Sequence, residues 1–189
     1  MKSLAKKSNI RNEYAFMKEC MCAEIIKSEK KFSWRRVIFR CLSDKRKRFY
    51  FWFRLYRFFY KSNILMLKKY SEKSCANLSL KYGVDIGMDS SIGAGFYIGH
   101  FPGVVITDHC SIGRNLKIRQ NTTIGIKDNS YYLTIGDNVD IGANSCIIGG
   151  DITIGDNVTI GAMSFVLKDI PSNTTYITVK ESVFLEKTY

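Results

Sequence analysis

Residues 84–106 read VDIGMDSSIGAGFYIGHFPGVVI, and an aliphatic residue leads each short unit of the stretch at Ile86, Ile92, Ile98 and Ile106. The beat continues through Ile112, Ile118, Ile124, Ile135, Ile141, Ile147, Ile154, Ile160 and Val166, thirteen units in all. A period of six cannot keep one face of a helix, because six steps of about 100° turn the pattern through roughly 240°. It suits short strands separated by turns. Glycine after the leading residue lets the backbone bend, and Asp-Asn pairs (Asp137-Asn138, Asp156-Asn157) favour corners. Such units bury nothing alone; stacked, they bring every leading side chain into one internal column. The expected fold is a hexapeptide parallel β-helix of a little over four triangular coils, about 4.8 Å apart.

Three units break the beat. Eight residues follow from Ile98, eleven from Ile124 and seven from Ile147. Surplus residues cannot enter a packed column, so they must protrude. One of the chain's two histidines, His100, lies in the first protrusion, and Lys127–Thr134 form the second. His109 falls in an ordinary six-residue unit and reads as plain surface.

Charge divides the chain. Of 29 Lys+Arg, 21 lie in residues 1–75 with only 6 acidic residues, whereas the remainder carries a small acidic excess. All fourteen glycines and both prolines lie at Gly83 or beyond. The expected organisation is therefore a basic, aromatic-rich helical region (1–82), a β-helix (83–172) and a C-terminal tail (173–189). Six cysteines lack both zinc-site spacing and the density of a disulfide scaffold, and the N-terminus lacks an apolar signal core. A cytoplasmic protein with reduced thiols and no bound metal is expected.

Glycine-free residues 1–75 predict helices broken near Ser33, Ser43-Asp44 and Ser62. In FYFWFRLYRFFYKSNILMLKK (49–69), Arg54, Arg57, Lys61 and Lys68 share one face and aromatics fill the rest. Two uses compete for this helix: packing against the β-helix or other subunits, and peripheral contact with an anionic membrane through residues 44–69. No nucleic-acid recognition module is visible, and no nucleic-acid partner is expected.

Residues 84–106 resemble the VDIHP…IGxGxxxDHxxGIVI segment of the left-handed β-helix acetyltransferases, in the serine acetyltransferase-like branch, and the resemblance runs over about residues 83–172. It implies a left-handed β-helix, acetyl-CoA as co-substrate and a homotrimer with sites between subunits. It also implies that His100 is the general base that deprotonates an acceptor hydroxyl, and that Asp85 orients it. The chemistry agrees, since an alcohol attacks a thioester poorly until its proton is removed and a neutral imidazole, pKa about 6.5, can remove it. Fifteen residues, three short of an 18-residue coil, put the pair on adjacent coils.

Within that resemblance, serine acetyltransferases have aspartate before the base where this chain has Gly99, and an arginine and a histidine in the long loop where it has Tyr131 and Tyr132. Their long helical N-terminal domain and terminal isoleucine are missing too. The expected acceptor is accordingly a sugar hydroxyl of a surface polysaccharide, gripped by Tyr131 and Tyr132. L-Serine is the alternative acceptor, and a non-catalytic β-helix scaffold the alternative from another class. Cofactor contacts implied by the resemblance are Gly142, Ala143, Ala162 and Lys168. The usual G-x-P-A near the end is replaced by Thr178 to Glu181.

Overall fold

The structure is a computed structural model that describes residues 2–27, 31–62, 64–128 and 131–180, with side chains from Ile10 onward. Positions 181–189 of the expected tail, and 129–130 of the long loop, lie outside the described residues.

Residues 84–176 form the parallel β-helix that the repeat predicts, with the left hand that the resemblance implies. One wall stacks β1 (Val84–Ile86), β4 (Val104–Ile106), β7 (Thr123–Ile126), β10 (Cys146–Gly149) and β13 (Phe165–Val166). The second stacks β2 (Ser91–Ile92), β5 (Cys110–Ile112), β8 (Leu133–Ile135) and β11 (Ile152–Ile154). The third stacks β3 (Tyr97–Ile98), β6 (Lys117–Ile118), β9 (Asp140–Ile141), β12 (Thr159–Ile160) and β14 (Thr175–Tyr176). A single bridge, Ile154 to Ile170, continues the second wall. The coil therefore runs past Pro171, because β14 pairs with β12 in a stretch where no aliphatic beat remains.

All thirteen leading residues are buried. Each contributes roughly 1.5–3 kcal/mol by leaving water. The surplus residues stay outside this column. Val105 faces Thr123 across an uninterrupted coil of eighteen. The protrusion after Ile98 lengthens that separation to twenty at Val84–Val104, and the long loop lengthens it to twenty-three at Cys110–Leu133. Asparagine stabilises the corners: Asn115, Asn138, Asn157 and Asn173 all take positive φ, and the amides of the first three each donate to the next side-chain oxygen at 2.9–3.0 Å. In the first coil Gly95 (φ 87°) takes the equivalent position, since a Cβ there would lie 2.3 Å from the Asn115 side chain.

Four helices precede the coils: α1 (Lys2–Met21), which runs into a π-turn at Cys22–Ile26, α2 (Trp34–Ser43), α3 (Lys45–Lys61) and α4 (Leu65–Tyr82). The breaks fall where Ser33, Asp44 and Ser62 predicted them. Asp44 caps α3 by accepting from the Arg46 N–H at 2.9 Å. Gly83, at φ 65°, ends α4 and leads directly into β1.

The first coil has no coil before it, so its outer backbone groups need partners from elsewhere. Side chains of the helices supply them. Arg54 donates to the carbonyls of Ile92 and Gly93, both at 2.8 Å, and to both carboxylate oxygens of Glu24 at 2.9 and 2.5 Å. Glu24 in turn accepts from the Phe96 N–H at 3.1 Å, and the Tyr50 hydroxyl accepts from the Ile98 N–H at 2.8 Å. Arg57 donates to the carbonyls of Gly87 and Ser90. Burial pushes the Glu24 carboxyl up, and the Arg54 charge opposes it. Three N–H groups donate to its two oxygens, which favours the carboxylate against that burial. Burial, reinforced by the Arg54 charge, lowers the Arg57 guanidinium to about 10.

This packing decides between the two uses of the helix for Arg54 and Arg57. The basic face of residues 49–69 turns inward: Arg54 and Arg57 are 3 % and 8 % exposed, and Lys61 pairs with Asp89 at 3.6 Å. Peripheral membrane contact through residues 44–69 cannot use these arginines, because a lipid surface cannot reach them.

Two outcomes follow from the cap. Glu24→Ala, which leaves a buried guanidinium unpaired, should cost about 3–5 kcal/mol in urea unfolding, whereas the double change Glu24→Leu/Arg54→Met should cost distinctly less than the two singles together. Burial raises the Cys20 and Cys110 thiols to about 12, so both should resist iodoacetamide in the folded protein and react only in denaturant, as peptide mass mapping would read.

Candidate active site

His100 lies at the corner where the chain passes from the third wall, after β3, to the first wall at β4, and its ring is exposed rather than turned into the column. Backbone bonds pin the protrusion on both sides. The Gly99 N–H donates to the Ile118 carbonyl at 2.8 Å, the Gly103 N–H to Gly83 at 2.8 Å, and the Pro102 carbonyl accepts from Asn121 at 3.0 Å. Phe101, next to the histidine, fills an aromatic socket of Phe49, Tyr50 and Tyr82 with ring centroids 4.9, 6.3 and 5.4 Å away. Thus α3 and α4, which cap the coil, also position its one protruding imidazole. Sequence reading missed this socket; the signal available was Phe101 itself, a large apolar residue in a segment that must leave the core.

Asp85 points outward from the middle of β1, directly opposite Val105 of β4. Val105 lies five positions after His100. The coil here is twenty residues long, not eighteen, because the protrusion itself lengthens it. Asp85 lines a shallow cavity of about 540 Å³ with Ala76, Ser79 and Leu80 of α4 and with Val105. Asp85 thus lies on the first wall and His100 at the corner that leads into it, and no hydrogen bond or ion pair joins them among the described residues.

The remaining sequence-stated residues divide between two corners. Gly142 and Ala143 follow β9 and Ala162 follows β12, which puts all three on the His100 corner, farther along the stack. Gly142 lies so close to the next coil that a Cβ would sit 2.3 Å from the Ala162 nitrogen. That corner therefore presents flat backbone and short side chains. Tyr131, Tyr132 and Lys168 lie on the other edge of the first wall, after β7 and β13. Tyr131 packs on Gly150, the Tyr132 N–H donates to Asp151 at 2.8 Å, and the Tyr132 ring is 47 % exposed. A single chain thus does not bring the tyrosines or Lys168 to His100.

The walls differ in character. Outward residues of the second and third walls are mostly serine, threonine and charged groups, such as Ser111, Thr134, Lys117 and Asp140. The first wall and its edge instead expose Val105, Phe165 and Leu167, at 39, 48 and 59 %.

Residues 132–168 match the family model described as the hexapeptide repeat of succinyl-transferase. The chain is 43 % identical over 103 residues to serine acetyltransferase 1, chloroplastic, of Arabidopsis thaliana, covering 53 % of this chain and 32 % of that one. It is 42 % identical over 100 residues to serine acetyltransferase of Staphylococcus epidermidis, covering 51 % and 46 %. The chain therefore spans between a third and a half of the curated relatives it matches. Among solved structures, serine acetyltransferase isoform 3 of Entamoeba histolytica, in complex with cysteine, overlays with a TM-score of 0.70 at 28 % identity, covering 97 % of this chain and 64 % of that one. Soybean serine acetyltransferase complexed with serine gives 0.70 at 25 % identity, covering 87 % and 68 %. The first overlay takes in nearly the whole chain, helices included, so the helical region has a counterpart there.

The socket can be tested without any assay of activity. Phe101→Ala should cost about 2 kcal/mol in urea unfolding, below the 3–5 of a fully buried phenylalanine, and should speed amide exchange at Gly103 and Val104. Tyr132→Ala, at an exposed position, should stay within about 0.5 kcal/mol of the parent.

Proposed function

We propose that this chain, whose β-helix resembles those of serine acetyltransferases, is an acetyl-CoA-dependent O-acetyltransferase. One observation carries the reading: an exposed imidazole, lifted from a regular coil by surplus residues, beside a corner of flat, small-residue backbone. His100 takes the proton from the acceptor hydroxyl as its oxygen attacks the thioester carbonyl. The resulting imidazolium then protonates the departing thiolate of CoA, leaving an acetyl ester and free thiol. Asp85 is a positioning residue that favours the imidazolium. Gly142, Ala143 and Ala162 leave room for the pantetheine arm along the corner. Lys168 lies on the other edge, suited to a phosphate held between two chains.

The same division supports a homotrimer. If the apolar first walls of three copies pack together, Tyr131 and Tyr132 of one copy approach His100 of the next, and the exposed Val105, Phe165 and Leu167 are covered.

Of the two acceptors, L-serine has the support of the comparisons, since the relatives and the overlaid structures are serine acetyltransferases. That revises the preference drawn from the sequence. The sugar hydroxyl stays as a second reading because Gly99 offers no carboxylate to an amino group, and the loop offers tyrosines instead of charge.

Release of free CoA, measured with L-serine and with a panel of nucleotide sugars and oligosaccharides, decides both points. His100→Ala should lower kcat/KM by about 10²–10⁴ with the true acceptor, and Asp85→Asn by less. Equal rates for parent and His100→Ala across all acceptors would leave the scaffold reading. At Gly99 a Cβ meets its nearest neighbour at 3.6 Å, so Gly99→Asp should be tolerated. Under the serine reading it should lower the KM for L-serine severalfold; under the sugar reading serine should remain inert in both proteins.

A further inference from the structure

The α2 helix has an unusual exposure. Of its ten residues only Val37 is buried. Trp34, Ile38, Phe39 and Leu42 are 39, 53, 70 and 70 % exposed. On a helical wheel these four fall within an arc of about 140°, on the side away from Val37. Arg35, Arg36 and Arg40 are exposed on the same helix, and Lys31, Lys45 and Arg46 are exposed just outside it. Residues 31–48 carry eight Lys and Arg against one acidic residue, Asp44. That aspartate is already engaged, by the Arg46 N–H and by Lys47 at 3.8 Å. The three arginines of α2 have no carboxylate partner among the described residues.

The helix is nonetheless held firmly. Val37 is fully buried, and Arg48 donates to the carbonyls of Cys41 and Leu42 at 2.7 and 3.0 Å, closing the α2 C-terminus. A ten-residue helix is marginal alone, so this anchoring presents the outer face as a preformed surface. Large apolar side chains ringed by unpaired cations need an occupant that is apolar inside and anionic at its rim.

We propose that α2 docks the protein on an anionic lipid surface. Phe39, Leu42 and Ile38 enter the acyl boundary, Trp34 settles at the headgroup level, and Arg35, Arg36, Arg40, Lys45 and Arg46 meet lipid phosphates. A second copy of the chain fits this face less well, because a two-fold contact would set two strongly cationic surfaces against each other. The docking surface expected from sequence along α3 thus centres on its neighbour, since Arg54 and Arg57 are committed to the β-helix. The proposal does not depend on the acyl-transfer reading.

Flotation of the full chain with phosphatidylglycerol–phosphatidylcholine vesicles tests it. Binding should appear with these vesicles, be absent with phosphatidylcholine alone, and weaken at least tenfold between about 50 and 500 mM salt. Phe39→Ser/Leu42→Ser should lower binding at least tenfold while leaving the unfolding midpoint unchanged. In a Trp52→Phe background Trp34 is the only tryptophan, and its emission should shift to the blue on binding. Three results would overturn the proposal: no flotation of the parent, equal flotation of the double variant, or a lower sedimentation coefficient for that variant, which would assign the face to another copy.

Discussion

Everything in this molecule depends on closing the open end of a parallel stack. A β-helix satisfies each coil through its neighbours, and the first coil lacks one. Its outward N–H and C=O groups would otherwise template aggregation or remain unpaired under the helices. The buried pair of Arg54 and Glu24 solves both problems together. The guanidinium donates to two carbonyls of the coil, and the carboxylate accepts one of its amides. Each charge is held by the other, and their remaining hydrogen-bonding capacity goes to the β-helix rather than to water. Such a pair adds little net stability compared with apolar replacements, but it fixes how the helices sit on the coil.

That placement matters for the chemistry. Once α3 and α4 are seated on the first coil, Phe49, Tyr50 and Tyr82 form the socket for Phe101, and Phe101 sets where His100 emerges. The protrusion is two residues of surplus chain, too short to find a conformation by itself yet long enough to clear the column. It is held by ladder bonds at its ends and by one aromatic ring beside the imidazole. The same helices that cap the stack therefore aim its one conspicuous nucleophile activator. The two functions share residues, so neither can drift without the other.

The charge of the helical region is divided by the same logic. Arg54 and Arg57 on α3 face inward because the coil end presents carbonyls and needs donors. The arginines on α2 face outward, where they have no carboxylate partner among the described residues and Arg36 donates to the Lys31 carbonyl. A single basic segment thus has two roles, and only the direction in which each helix presents its side chains separates them.

The period of six was enough to place the walls, the column and both main protrusions, because only a chain that turns once per repeat, three times per coil, buries every leading isoleucine. The protrusion that carries His100 was legible for a related reason, since a break in a strict pattern is visible in one dimension, whereas Asp85 was singled out only by the family resemblance. The division of site residues between two corners, the cap by Glu24, and the opposite orientations of α2 and α3 were not legible. Each depends on which wall a residue reaches after insertions have shifted the count, or on contacts between residues 30 to 72 positions apart, such as Arg54 with Glu24 and Glu24 with Phe96. Local pattern determined the repeat; only the packing of helices on the open coil end decided what each charged side chain does, because a buried charge goes where its partner is and the partner lies far away in sequence.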